Sequence, residues 1–189
     1  MEIFYVLGAL VLTAVTVMII YNGIIGRFNS VKRAWSNVIV HARQKNKILP
    51  HLEVVISQYE DFEKGVLVKI TQLRAALNEL DDSNVNNQTL RSAEHKAQAL
   101  VSSLKLTSED YPELKASPLF KAIMAEISEQ QENVGAAIRI YNQNVEIFNT
   151  GIQTFPNSII NNLLNKKEEI ALFTDSEAQS EFEFSPNID

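Results

Sequence analysis

The chain reads as an all-α protein: one N-terminal transmembrane helix, then an elongated antiparallel helical bundle of three long helices plus a short C-terminal one. Three observations predict this. Residues 3–21 carry no charged side chain. An apolar stripe at heptad spacing begins at Val31 and persists to Leu80, and a second one runs from Met124 to Phe155. Six Gly and five Pro in 189 residues are few, as a mostly helical chain requires. The expected division is a transmembrane anchor at 1–26, a helical bundle at 27–167 and an acidic, mobile tail at 168–189.

The first element is the run from Ile3 to Tyr21. Its 19 residues cover about 28 Å as a helix, enough to cross a hydrocarbon core with little tilt. Tyr5 and Tyr21 stand near its two ends, where amphipathic rings favour the interface. A signal peptide needs a basic leading region, and the only charged side chain ahead of this run is Glu2. A buried soluble helix of this length would keep a polar face. With no cysteine, a lipoprotein anchor is excluded.

Arg27, Lys32, Arg33, Arg43, Lys45 and Lys47 follow the span and none precedes it. The positive-inside rule therefore puts the body in the cytoplasm and the short N-terminus outside, at the cell membrane. The inverse topology would make the protein envelope-facing. Arg27, Lys32 and Arg33 are close enough to touch anionic headgroups, at roughly 1 kcal/mol each.

Composition removes several function classes. Residues 1–52 carry net charge +5, which leaves −11 on the remainder of a chain whose total is −6. An acidic body argues against nucleic acid as a partner. The lack of cysteine removes disulfides, thiolate metal sites and a cysteine nucleophile.

The second element is a long helix from about Tyr21 to Leu80, roughly 90 Å if straight. Thirteen of its fifteen seam positions are apolar, among them Trp35, Val38, Leu49, Leu52, Tyr59 and Leu73. Pro50 removes the hydrogen bond to the Asn46 carbonyl and predicts a bend, since the register continues beyond it. Lys45 and Glu63 interrupt the stripe and read as positions where the bundle is wet.

Asp81-Asp82-Ser83-Asn84 ends this helix and caps the next. That shorter helix aligns Leu90, Ala93, Ala97, Leu100 and Leu104. A connector around Tyr111-Pro112 leads to Ser117, a good N-cap with Pro118 at the first helical position. The third helix is apolar at nine of ten seam positions, Gln131 being the exception. Pro156 closes it, and a short helix through Ile159, Ile160, Leu163 and Leu164 follows. Beyond Lys167 every charged residue is acidic, which reads as a solvated tail. Its Phe173, Phe182 and Phe184 leave docking open.

These residues, in this order, resemble the LemA family over nearly the whole chain. The resemblance rests on Tyr21-Asn22, Asn29-x-Val31-x-x-Ala34-Trp35, Leu49-Pro50-x-Leu52, and Tyr59 with Glu63. It continues through Tyr111-Pro112-Glu113-Leu114-Lys115-Ala116 and Arg139-x-Tyr141-Asn142-x-x-Val145-x-x-Phe148-Asn149 to Phe155-Pro156. It implies a single anchor, a long helical bundle and no established catalytic activity. Lys47 departs from the family's usual acidic residue at that place.

No catalytic, cofactor or metal site is expected. His41, His51 and His95 do not pair at helical spacing, no Glu-x-x-His occurs, and no glycine loop or glycine-flanked serine is present. Asn29, Asn142 and Asn149 read as structural amides that bridge helices or cap carbonyls. Trp35 reads as core. The expected function is a membrane-anchored scaffold or interaction protein without catalysis. Its seam at Trp35, Val38, Leu49 and Leu52 would meet a protein partner or a second copy. The alternative is an accessory subunit of a membrane enzyme or transporter.

Overall fold

Forty-three consecutive residues, Glu2–Gln44, form helix α1. No proline interrupts them, and Glu2 in the first turn complements the helix dipole. The computed structural model describes residues 1–58 and 63–174; the side chain of Glu63 lies outside that description. Tyr59, Phe182 and Phe184 therefore lie outside the described residues, as does the acidic stretch from Asp175 onward.

The chain tightens into a 3-10 turn at Lys45–Lys47 and resumes as α2, Leu49–Ile56. Pro50 falls in the first turn of α2, where a missing N–H costs little. Gln44 and Ile48 keep right-handed helical backbone angles, so the proline is absorbed by a tightened turn. Helix α3 spans Glu63–Asn78, α4 Asn87–Asp110, α5 Pro112–Ala116 and α6 Pro118–Gln153. A single turn, α7 (Asn157–Ile160), leads into a π turn at Asn161–Asn165. No strand occurs among the described residues. The predicted all-α class with helices packed as in a bundle is what the chain adopts.

Packing groups the chain into two compact units. One holds Met1–His41, Asp82–Val85 and Glu132–Ala171; the other holds the described residues of 42–81, 86–131 and 172–174.

In the first unit α1 and α6 run antiparallel, because contacts descend α6 as they ascend α1. Arg27 lies against Gly151, Phe28 against Phe148 and Trp35 against Tyr141. The Trp35 and Tyr141 rings are 5.4 Å apart at 58°, a tilted pairing that avoids face-to-face repulsion. Val31, Ala34, Trp35 and Val38 of α1 are buried, as are Val134, Tyr141, Val145 and Phe148 of α6. That spacing is one helical face on each.

In the second unit the sequence expectation needs correction. Residues 49–80 do not continue one straight helix; the chain reverses between α2 and α3. Arg43 donates to the Leu80 carbonyl, Asn46 Nδ2 to Asn78 Oδ1 at 3.3 Å, and Arg74 pairs with Glu53 at 2.8 Å. These pairs descend as they ascend, which defines an antiparallel hairpin. The heptad stripe persists across the reversal because both arms turn their apolar faces to one core: Leu52, Val55 and Ile56 from one, Val66, Ile70, Leu73 and Leu77 from the other. Arg43 also supplies a cation and a donor just beyond the α3 C-terminus, where carbonyls lack partners.

Lys45 is likewise not wet. It is 6% exposed, and its Nζ reaches both carboxylate oxygens of Glu94 at 2.8 and 2.6 Å. A cation left alone at that depth would be costly, and α4 brings the anion that neutralises it. The cap of α4 is Asn86 rather than the 81–84 segment. Its Oδ1 accepts from Gln88 N at 3.0 Å and Thr89 N at 3.2 Å.

Candidate functional site

The apolar half of α1 stands apart from the rest of the chain. Its most apolar 18-residue window has a mean hydropathy of 2.6, and none of it is buried. Ile3 is 71% exposed and Tyr21 39%, whereas Ile24 is wholly buried. The change from bare to covered helix therefore falls between Tyr21 and Ile24. A core helix of a soluble protein would be covered along this window.

At that change a collar forms. The π turn ends at Lys166, whose positive φ of 49° turns the chain back. Asn165 Nδ2 then reaches the Tyr21 carbonyl at 3.4 Å. Lys167 sets its Nζ 4.1 Å from the Phe28 ring centroid, and Lys32 sets its own at 5.1 Å. The Phe28 ring in turn meets Phe148 at 5.5 Å. Each such cation–ring contact is worth about 0.5–1 kcal/mol at an exposed site. Arg27 is half-buried and extends across the backbone of Gly151, beside Glu146, Ile147, Thr150 and Thr154. Arg33 is exposed and donates to Ser30 Oγ at 2.9 Å.

Of the three residues expected to touch headgroups, Arg27 and Lys32 thus belong to this collar, with Lys167 joining them. Sequence reading left Lys166 and Lys167 out because they stand some 140 positions beyond Arg27. A lysine pair directly after an apolar turn was the available signal. Chemically, a ring of cations suits a polyanionic surface.

Toward the span, a groove of about 330 Å³ opens between α1 and the chain after α6. Leu12, Thr13, Thr16, Val17 and Ile20 form one wall, and Phe155, Pro156, Ile159 and Ile160 the other. Phe155 is 81% exposed.

The expected partner seam is occupied by the chain itself. Trp35, Val38, Leu49 and Leu52 are all buried. Trp35 meets Tyr141 in the first unit, and Leu49 lies beside Leu73, Ala97 and Leu100 in the second. They offer no free stripe.

Several of the remaining singled-out residues make contacts within the fold. Pro112 opens α5, with Tyr111 half-buried before it. Tyr141 donates its hydroxyl to the Ala171 carbonyl at 3.4 Å. Asn149 Nδ2 donates to the Ile170 carbonyl at 2.9 Å while its Oδ1 accepts from Ile170 N at 3.0 Å. Asn142 is half-buried and Arg139 exposed. In the second unit Asn87 and Arg91 hold the carbonyls of Leu172 and Thr174 at 3.2 and 2.8 Å, and Phe173 is buried. The first residues of the expected mobile tail are therefore docked.

A shallow groove of about 610 Å³ between α4 and α6, lined by Gln98, Ser102, Lys105, Met124 and Ser128, mixes polar and apolar walls. Among the described residues no three His, Asp or Glu converge to hold a metal ion. His51 and His95 are exposed and His41 is half-buried.

Two comparisons bear on identity. The model of the LemA family matches residues 34–188. Protein LemA of Metamycoplasma hominis is 30% identical over 171 residues, covering 87% of this chain and 76% of that protein. The matched region takes in the Trp35–Tyr141 contact, the Tyr111-Pro112 connector and the Asn149 clasp. The chain belongs to the LemA family.

Proposed function

We propose that this protein is a single-pass membrane protein that holds a helical scaffold at the cytoplasmic face of the cell membrane and acts by binding rather than by catalysis. The observation that carries the reading is the bare apolar window of α1, which abuts a half of the helix whose apolar face is covered. A bilayer supplies the missing cover. The basic collar at the same level supports a cytoplasmic body, because cations flank the side that stays inside. Lys45 and Glu94, the buried ionisable pair of the second unit, satisfy each other's charge and so serve packing.

Cysteine scanning tests this, since the chain has no cysteine of its own. Single substitutions Glu2→Cys and Gln143→Cys, the latter at an exposed position on α6, are labelled in intact cells with a membrane-impermeant thiol reagent. Labelling at 2 alone is expected. Labelling at 143 alone inverts the topology and makes the protein envelope-facing. A photo-crosslinker at Ser102→Cys then separates binding roles: adducts to a second copy fit a scaffold. A single stoichiometric membrane enzyme or transporter would make it an accessory subunit.

A further inference from the structure

We infer that the turn from Phe155 to Leu164 is a second membrane element, seated in the leaflet that surrounds the C-terminal half of the anchor, with lipid acyl chains as its occupant. This rests on the reading that α1 crosses a bilayer. The groove wall formed by Phe155, Pro156, Ile159 and Ile160 faces Leu12, Thr13, Thr16, Val17 and Ile20. Those α1 residues lie within roughly 14 Å of Tyr21 along the helix, which is one leaflet of a hydrocarbon core. Whatever stands beside them shares their depth.

The composition of the turn suits that depth. Phe155 is 81% exposed, Leu163 67%, Leu164 52% and Ile159 49%. Four large apolar side chains bare within ten residues are what an interfacial element presents to acyl chains. Its backbone is largely self-satisfied, as a low-dielectric setting demands. Ser158 N donates to the Thr154 carbonyl at 2.8 Å and Ile159 N to that of Pro156 at 3.2 Å. Asn157 Nδ2 caps the Gly151 carbonyl at 2.9 Å. Lys166 and Lys167 follow at once, and Lys167 joins Arg27 and Lys32 in the collar, at the level where headgroups would lie. Apolar tip and cationic rim thus match hydrocarbon and anionic headgroup in order of depth.

The test uses the full chain in vesicles of phosphatidylcholine and phosphatidylglycerol, with or without bromine on the acyl chains. An environment-sensitive fluorophore is placed singly at Val11→Cys, Phe155→Cys or Gln143→Cys. Phe155 is exposed, so its replacement leaves the core intact. The expected result is blue-shifted emission and bromolipid quenching at 11 and 155, and neither at 143. Quenching at 11 but not at 155 overturns the inference and leaves the anchor standing. A blue shift at 155 that bromolipid does not quench means protein covers the turn, which also overturns it. Quenching at neither 11 nor 155 removes the anchor and the inference together.

Discussion

The side-chain amide of Asn149 lies edge to edge with the backbone of Ile170, donating to its carbonyl at 2.9 Å and accepting from its N–H at 3.0 Å. Asn161 does the same to Lys167, at 2.8 and 3.1 Å. Two asparagines thereby supply an extended segment with the partners a neighbouring strand would give. Tyr141 adds its hydroxyl to Ala171. The path of the segment after the π turn is thus held through its backbone.

Asn149→Ala removes both partners from Ile170. Leaving buried backbone groups unmatched costs about 1–3 kcal/mol. The expected outcome is faster amide exchange across residues 168–171, larger than any change in the α1–α6 core. Asn149→Asp keeps the acceptor and loses the donor, and should fall between. Unchanged exchange in both variants would mean the segment is held by Phe173 and the α4 contacts instead.

The reversal of α2 against α3 gives a distance test. Asn46 and Asn78 touch through their side chains at 3.3 Å. In one straight helix they would stand about 48 Å apart. Cysteines at these two positions should join efficiently through a short bismaleimide within one chain, seen as faster migration in a denaturing gel. Cysteines at 46 and 68 serve as the comparison, since Val68 is exposed farther up the returning arm. Equal yields from both pairs would argue against the hairpin.

That reversal also marks where sequence reading stops. Heptad spacing reports that a face is buried, not which partner buries it, so the stripe from Val31 to Leu80 looks continuous across a turn. The bare apolar helix at the N-terminus, the α4 and α6 faces and the Ser117-Pro118 start of α6 were legible because each depends on local chemistry alone. Phe120 N indeed reaches Ser117 Oγ at 3.4 Å. Lys45 was not legible, because its partner Glu94 lies on another helix and a charge in a seam looks wet until an anion is placed beside it. The collar was half legible. Arg27 and Lys32 follow the apolar run in sequence, whereas Lys167 arrives there only through the turn after α6.

The Lys45–Glu94 pair predicts a sharp non-additivity. The two side chains are 7% and 17% exposed and 2.6 Å apart. Removing one strands the other, at about 3–5 kcal/mol. Glu94→Leu and Lys45→Met should each lower the denaturant midpoint markedly with an unchanged slope. The double variant should recover most of the loss, because an apolar pair needs no counter-ion in a pocket lined by Ile48, Leu49, Leu73 and Leu100. Additive losses would mean the pair is solvated and contributes little.

Gly151 and Arg27 predict a coupling that comes from a steric clash rather than from charge. A Cβ at Gly151 would come within 2.6 Å of Arg27 Nη1 and 2.9 Å of its Cδ. Gly151 lies in the last turn of α6, where alanine gains up to about 1 kcal/mol over glycine, the helix-interior value. In the wild-type background Gly151→Ala must first move Arg27 off the helix, so the gain should shrink or change sign. In an Arg27→Ala background the obstacle is gone, and the same substitution should show its full propensity gain. The cycle is read from denaturant unfolding of the four proteins in one detergent, with a coupling of about 0.5 kcal/mol or more expected for residues in contact. If the two effects simply add, Arg27 does not rest on Gly151, and its charge is free to lie wholly in the headgroup layer.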